Sequence, residues 1–179
     1  FNVHEGPRYN VRDVVFAGDV INSEDNMLEV VQMDDWKKSD KYFSLTVMQE
    51  DSKRLTDHYA DYGYAFAEVD TKLIKADDGS DQVDVGYLVN KKQKVFIRRL
   101  MVVGNTKTRD NVILREMRLG DGDMYEGAKL RRSNERLNRL RYFGAVDMEI
   151  IPTGQEDEVD LMVKVKEANT GGIMGGNGY

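Results

Sequence analysis

The sequence predicts an α+β protein: a tandem of two βααββ modules, each a three-stranded mixed sheet covered on one face by two helices. Three observations carry this reading. The 179-residue chain repeats itself at an offset of 86 residues. Each copy opens and closes on apolar runs of strand period. Between those runs lie two segments whose apolar residues recur at helical spacing.

The elements follow in order. Val14-Val15-Phe16-Ala17-Gly18-Asp19 returns as Leu100-Met101-Val102-Val103-Gly104-Asn105, a first strand ending in glycine and a small polar residue. A polar stretch then leads to a helical pattern in each copy, with Ser23 and Thr108 as expected N-caps and acids in the first turn. The second helix shows Leu45, Met48, Leu55, Tyr59 and Tyr62 on one face in the first copy, and Leu130, Leu137 and Leu140 in the second. Both helices are expected to stop at a glycine among aromatics, Tyr62-Gly63-Tyr64 and Tyr142-Phe143-Gly144. Two alternating runs close each copy. Val69, Thr71 and Leu73 precede Val83, Val85, Tyr87 and Val89 across a turn at 77–81. Val146, Met148 and Ile150 precede Val159, Leu161, Val163 and Val165 across a turn at 154–157. Gln82-Val83-Asp84-Val85 and Glu158-Val159-Asp160-Leu161 match almost letter for letter.

Composition narrows the function classes. A formal net charge of −6 disfavours a general nucleic-acid binder. The chain has no cysteine, hence no disulfide, thiolate metal site or thiol nucleophile. It contains no P-loop, no G-x-G-x-x-G after a strand and no G-x-S-x-G elbow. His58 lies beside Asp57 and Asp61, but neighbours at i+1 and i+3 do not converge as three metal ligands would. Asp121-Gly122-Asp123 with Glu126 lacks the frame of a calcium loop and is read as a connector, as is Asp34-Asp35. No catalytic residue, metal ligand or cofactor site is assigned, and the chain is not expected to be an enzyme. Residues 129–141 carry six cations against one acid. They form a solvated face or, functionally, a contact for acidic lipid headgroups or a partner.

Residues 1–9 align with 87–95 at the same offset, so 1–6 are expected to be the last strand of a preceding module. Modules are expected at 7–91 and 92–168. The order of Tyr59-Ala60-Asp61-Tyr62-Gly63-Tyr64-Ala65-Phe66-Ala67, Arg98-Arg99-Leu100 leading to Gly104-Asn105-Thr106, Leu114-Arg115-Glu116-Met117, Glu135-Arg136-Leu137-Asn138-Arg139-Leu140 and Val165-Lys166-Glu167-Ala168-Asn169-Thr170-Gly171 resembles POTRA (polypeptide-transport-associated) domains. The likeness is to the barrel-proximal repeats of the BamA family of outer-membrane protein assembly factors. Residues 169–179 resemble a linker or the start of the first transmembrane barrel strand, with Ile173 and Gly175 where the family has aromatics.

The resemblance implies the periplasmic portion of a Gram-negative outer-membrane protein. The implied partners are unfolded outer-membrane polypeptides, assembly lipoproteins and the protein's own C-terminal membrane barrel, and no nucleic acid. It implies that the second strand of each module, 67–75 and 146–151, is a free edge to which a client strand adds. The residues concerned are Glu68, Val69, Asp70, Thr71, Lys72, Asp147, Met148 and Glu149, with the charged side chains guarding against permanent pairing. A proline at Asp70 or Asp147 is then expected to remove an edge donor. It also implies a lipoprotein contact at Arg115 and Glu116, which are expected to point outward while Leu114 and Met117 face the core. The alternatives are the POTRA region of a two-partner secretion transporter and a purely structural docking scaffold.

Overall fold

A computed structural model describes residues 8–169; the calls made on 1–6 and on 170–179 lie outside the described residues. The chain divides into two compact units. Among the described residues, one comprises 8–59 together with Phe66–Lys92, and the other comprises Ala60–Ala65 together with 93–169.

The first unit begins with β1 (Asn10–Gly18), whose Val11 and Val14 are buried. The alternation slips at Arg12, an extra residue that shifts the register against the partner strand between Val11 and Asp13. α1 (Glu24–Val30) starts at Ser23, whose hydroxyl accepts from the Asn26 N–H at 3.3 Å as expected. The next segment differs from the expected connector. Asp34-Asp35 form the first turn of a short helix, α2 (Met33–Lys38), with Asp34 buried and paired to Lys38 at 2.8 Å. The helix is anchored there because Met33 is fully buried and Asp51 accepts the N–H groups of Gln32 and Met33. α3 (Leu45–Ala60) buries Val47, Met48, Leu55 and Tyr59. Leu45 and Tyr62, expected on the same stripe, are exposed: one is the first helical residue, and the other follows the helix end at Ala60. Gly63 stops this helix as expected, with φ +98° and its N–H donated to Ala60 O. β2 (Glu68–Lys75) and β3 (Gln82–Asn90) form the closing hairpin. The sheet order is β1-β3-β2, with β1 parallel and β2 antiparallel to β3. Val83, Val85, Tyr87 and Val89 on the central strand are buried beneath the helical layer.

The second unit repeats this plan as β4 (Phe96–Val103), α4 (Asp110–Leu114), α5 (Gly127–Arg139), β5 (Phe143–Pro152) and β6 (Glu158–Glu167), in the order β4-β6-β5. Its core holds Ile113, Leu137, Phe143, Val163 and Val165, with Leu100, Val102, Met117, Leu140, Val146 and Met148 packed against it. Two local expectations are corrected. Arg109, not Thr108, takes the N-cap position of α4, and the Asn105 amide bonds Thr108 O and the Asp110 carboxylate instead. The second glycine stop is absent. Arg141 takes the left-handed conformation after α5 at φ +60°, and Gly144 sits in a bulge of β5 beside the buried Phe143. No helix among the described residues is long and apolar enough to cross a membrane.

Candidate functional site

With β3 and β6 central, β2 and β5 each pair with one strand and leave their other side unpaired among the described residues. Which backbone groups face that open side follows from the ladder, because opposite residues in an antiparallel pair alternate between hydrogen-bonded and non-bonded pairs. Ala76 N donates to Gln82 O at 3.0 Å, one step beyond the Lys75–Val83 pair. Glu68, Asp70, Lys72 and Ile74 therefore spend their backbone groups on β3. The N–H and C=O groups of Val69, Thr71, Leu73 and Lys75 point into the open. The parity is consistent on the far side of β3, where Val89 O accepts from Asp19 N. On β5, Ala168 N donates to Tyr142 O at 2.8 Å, and counting through the bulge gives the same division. Asp147, Glu149 and Ile151 bond to β6, whereas Val146, Met148 and Ile150 present open groups. Pro152 falls on the open side, where its missing N–H costs no ladder bond.

The charged side chains expected to mark the open donors thus belong to residues whose backbones are already paired. Side chains stand perpendicular to the sheet, so a residue can be fully exposed while its N–H is engaged. A proline at Asp70 or Asp147 would break the internal ladder; removal of an edge donor requires Thr71 or Met148. The charges do guard the uncovered face of each sheet. Glu68 pairs with Lys92 at 2.9 Å and Glu149 with Lys164, while Asp70, Lys72 and Asp147 are exposed.

The second predicted contact, Arg115 with Glu116, falls on one groove, where the two side chains differ in exposure. Arg115, at the end of α4, is exposed and lines a shallow groove with Lys107, Arg109, Val112, Glu116, Leu140 and Tyr142. Glu116 lines the same groove, but its carboxylate pairs with Arg136 of α5 at 2.9 Å and only 21% of its side chain is exposed. Met117 packs on the core as expected, but Leu114 is 42% exposed, and Ile113 fills the buried position one residue earlier.

Four polar arrangements escaped the sequence reading. The bulged Arg12 grips Asp84 through two bonds of 2.9 and 2.7 Å, and the equivalent Arg98 grips Asp160 at 2.9 and 2.6 Å. These hydrogen bonds hold both carboxyls below their ordinary range. The visible signal was the Asp repeated in both last strands. Asp51, fully buried, accepts from Gln32 N, Met33 N, Tyr87 OH and Arg54. Burial and this bond push the Tyr87 hydroxyl well above its ordinary pKa. Glu167 accepts from Thr106 Oγ1 and the N–H groups of Lys107 and Thr108. Burial opposes its ionisation, but these donors prevail and its pKa is lowered.

The remaining candidates have ordinary partners. His58 Nε2 lies 2.6 Å from Asn22 Oδ1, Asp57 pairs with Lys53, and Asp61 pairs with Arg131. Asp121 accepts from Leu100 N and Asp123 from Gly120 N, so the expected connector is a turn fastened to β4. On α5, Lys129, Arg131 and Arg136 are paired to acids, while Arg132 and Arg139 are exposed.

Comparison with known proteins places this geometry. The chain is 59% identical over 179 residues, 100% of its own length and 22% of the relative's, to outer membrane protein assembly factor BamA of Nitratidesulfovibrio vulgaris. It is 30% identical over 172 residues to BamA of Neisseria meningitidis serogroup B, covering 96% of this chain and 21% of that protein. It therefore spans about a fifth of the length of these relatives. Among solved structures, the Haemophilus influenzae BamA POTRA3-5 crystal structure superposes with a TM-score of 0.77 at 24% identity, over 91% of this chain and 63% of that one. BamA from Haemophilus ducreyi lacking POTRA domains 1-3 superposes at 0.71 and 26% identity, over 90% of this chain and 30% of that one. The model of the POTRA family, surface antigen variable number repeat, matches twice, at residues 9–92 and 95–168, and the chain belongs to that family.

Proposed function

We propose that the chain is part of the periplasmic arm of an outer-membrane protein assembly factor. It receives unfolded outer-membrane polypeptides by strand addition and docks assembly lipoproteins, with its own protein's membrane barrel as a further partner. The open row of main-chain donors and acceptors on β2 carries this reading. Backbone recognition makes little demand on the arriving side chains, which suits a receiver of many different barrel precursors. Each added bond contributes about 0.5–1.5 kcal/mol net, so a few give a weak, reversible grip. The test is cross-linking of this chain to an unfolded barrel peptide. Capture that maps to β2 or β5 supports the reading; capture that maps elsewhere removes it.

The scaffold reading has its own support in the groove beside α4. Lys107, Arg109 and Arg115 flank the apolar Val112, Leu140 and Tyr142, and the acid in the lining, Glu116, is paired with Arg136, an arrangement suited to an acidic partner with apolar anchors. Arg115→Glu should weaken lipoprotein binding about tenfold. The melting temperature should stay unchanged, because Arg115 is exposed at the end of α4. Glu116→Lys is a poorer probe, since it sets a cation against Arg136. Equal binding by Arg115→Glu would remove the groove as the docking surface.

A further inference from the structure

The two units carry the same topology, but their open edges are not equivalent. β5 is guarded three ways. A bulge between Phe143 and Ala145 twists its start, and Pro152 withholds a donor from the open side at its end. Its helix-side residues Val146 and Met148 are already packed on the core that Leu137 of α5 helps build. β2 has none of these devices. Its pairing with β3 runs without a register shift from Glu68 to Lys75, and it contains no proline. On its helix side Val69 is half-buried, but Thr71, Leu73 and Lys75 are exposed, Leu73 at 37%.

Resting on the strand-addition reading, the geometry points to β2 alone as the receiving edge, and to an extended segment with apolar residues at every second position as its occupant. Four consecutive open positions, Val69, Thr71, Leu73 and Lys75, offer the main-chain ladder. An added strand lies about 4.8 Å beyond β2, and its alternate side chains point to the helix side. There they would lie against Val69 and Leu73, covering apolar surface the unit leaves exposed. Its other side chains would face Glu68, Asp70 and Lys72, with Ile74 at the end of the row, so polar or charged residues are accommodated along most of it. An amphipathic strand satisfies both faces. A uniformly polar segment would leave Leu73 uncovered, and a uniformly apolar one would meet charged residues along the other row everywhere but at Ile74.

The test is amide hydrogen exchange on this chain, titrated with a short synthetic peptide in which valine alternates with threonine and lysine. At saturation the open amides of Val69, Thr71, Leu73 and Lys75 should slow by about tenfold or more. Those of Asp70 and Lys72, already in the ladder, should change less, and Val146, Met148 and Ile150 should not respond. Thr71→Pro should weaken the peptide about tenfold and Met148→Pro should not. Because a proline variant can lose its fold, the same peptide N-methylated at every second residue tests the ladder on the unaltered protein, and one of its two methylation registers should abolish binding. Slowing at β5, or equally at both edges, overturns the assignment to β2 while leaving strand addition standing. No binding, binding without slowing at either edge, or binding indifferent to N-methylation overturns strand addition itself.

Discussion

Single residues set the tolerances of each unit. Gly18 and Gly104 end the first strands at φ +81° and +90°, and an added Cβ would lie 2.3 Å from Val89 O and 2.0 Å from Val165 O. Gly154, in the β5–β6 turn, has a similar φ of +93° but open space around it. Gly154→Ala should therefore cost about 1 kcal/mol, the conformational part alone. Gly104→Ala should cost several-fold more by urea denaturation, since backbone must also move. Asp51 is a second such position. Asp51→Ala leaves two N–H groups and a tyrosyl hydroxyl buried without their acceptor and should destabilise by about 3 kcal/mol or more. Acid should act on the fold through Asp84, Asp160 and Glu167, whose pKa values are lowered from ordinary values of 3.8, 3.8 and 4.5. Their folded values lie below their unfolded ones, so the stability they contribute is complete well above pH 4.5 and is lost as pH falls through the folded values. Glu167→Gln should flatten the fall of stability as pH drops below the ordinary carboxyl value of 4.5 in acid titrations, and a slope identical to the parent would exclude its role.

At the scale of elements, the repeat made much of the fold legible. Val83, Val85, Tyr87 and Val89, and their counterparts Val159, Leu161, Val163 and Val165, read as strands because a central strand over one helical layer buries every second residue. The glycine at the end of β1 and β4 was visible because no other residue fits there. What stayed hidden depended on single insertions or on neighbours distant in sequence. The bulges at Arg12 and Arg98 each add one residue and erase the strand period locally, so the clear apolar runs begin only at Val14 and Leu100. α2 is a six-residue helix, too short to show a period, and is held by Asp51 from 18 residues away. Asp51 itself was findable. It occupies the buried stripe between Met48 and Leu55, as Ser133 does between Leu130 and Leu137, where it bonds Arg118 N. A polar residue in an apolar stripe signals a buried hydrogen bond to something outside its own helix. The edges were legible as strands but not as donors: side-chain pattern gives the face, whereas the direction of an N–H depends on ladder parity, which here rests on the turn bond of Ala76.

At the scale of the whole chain, the sequence period and the packing divide the molecule differently. The repeat boundary falls near Lys91–Lys94, and Lys92, Gln93 and Lys94 are exposed between β3 and β4, so limited proteolysis should nick there before it cuts α3. The packing, however, assigns Ala60–Ala65 to the second unit. The reason is local: Gly63 O accepts from Val95 N, a Cβ at Gly63 would meet Met124, and Asp61 pairs with Arg131 on α5. A segment contiguous with α3 is thereby tied to the start of the second module. Leu137, fully buried in the second core, gives a way to separate the two divisions. Leu137→Ala should cost about 2–5 kcal/mol and speed amide exchange throughout β4–β6. The Gly63 and Ala65 amides should speed up with them, while Val83, Val85 and Tyr87 on β3 keep the parent rates. If the 60–65 amides instead keep pace with α3 and β3, the contacts at Val95 and Arg131 are too weak to transfer that segment, and the cooperative boundary lies at the repeat joint.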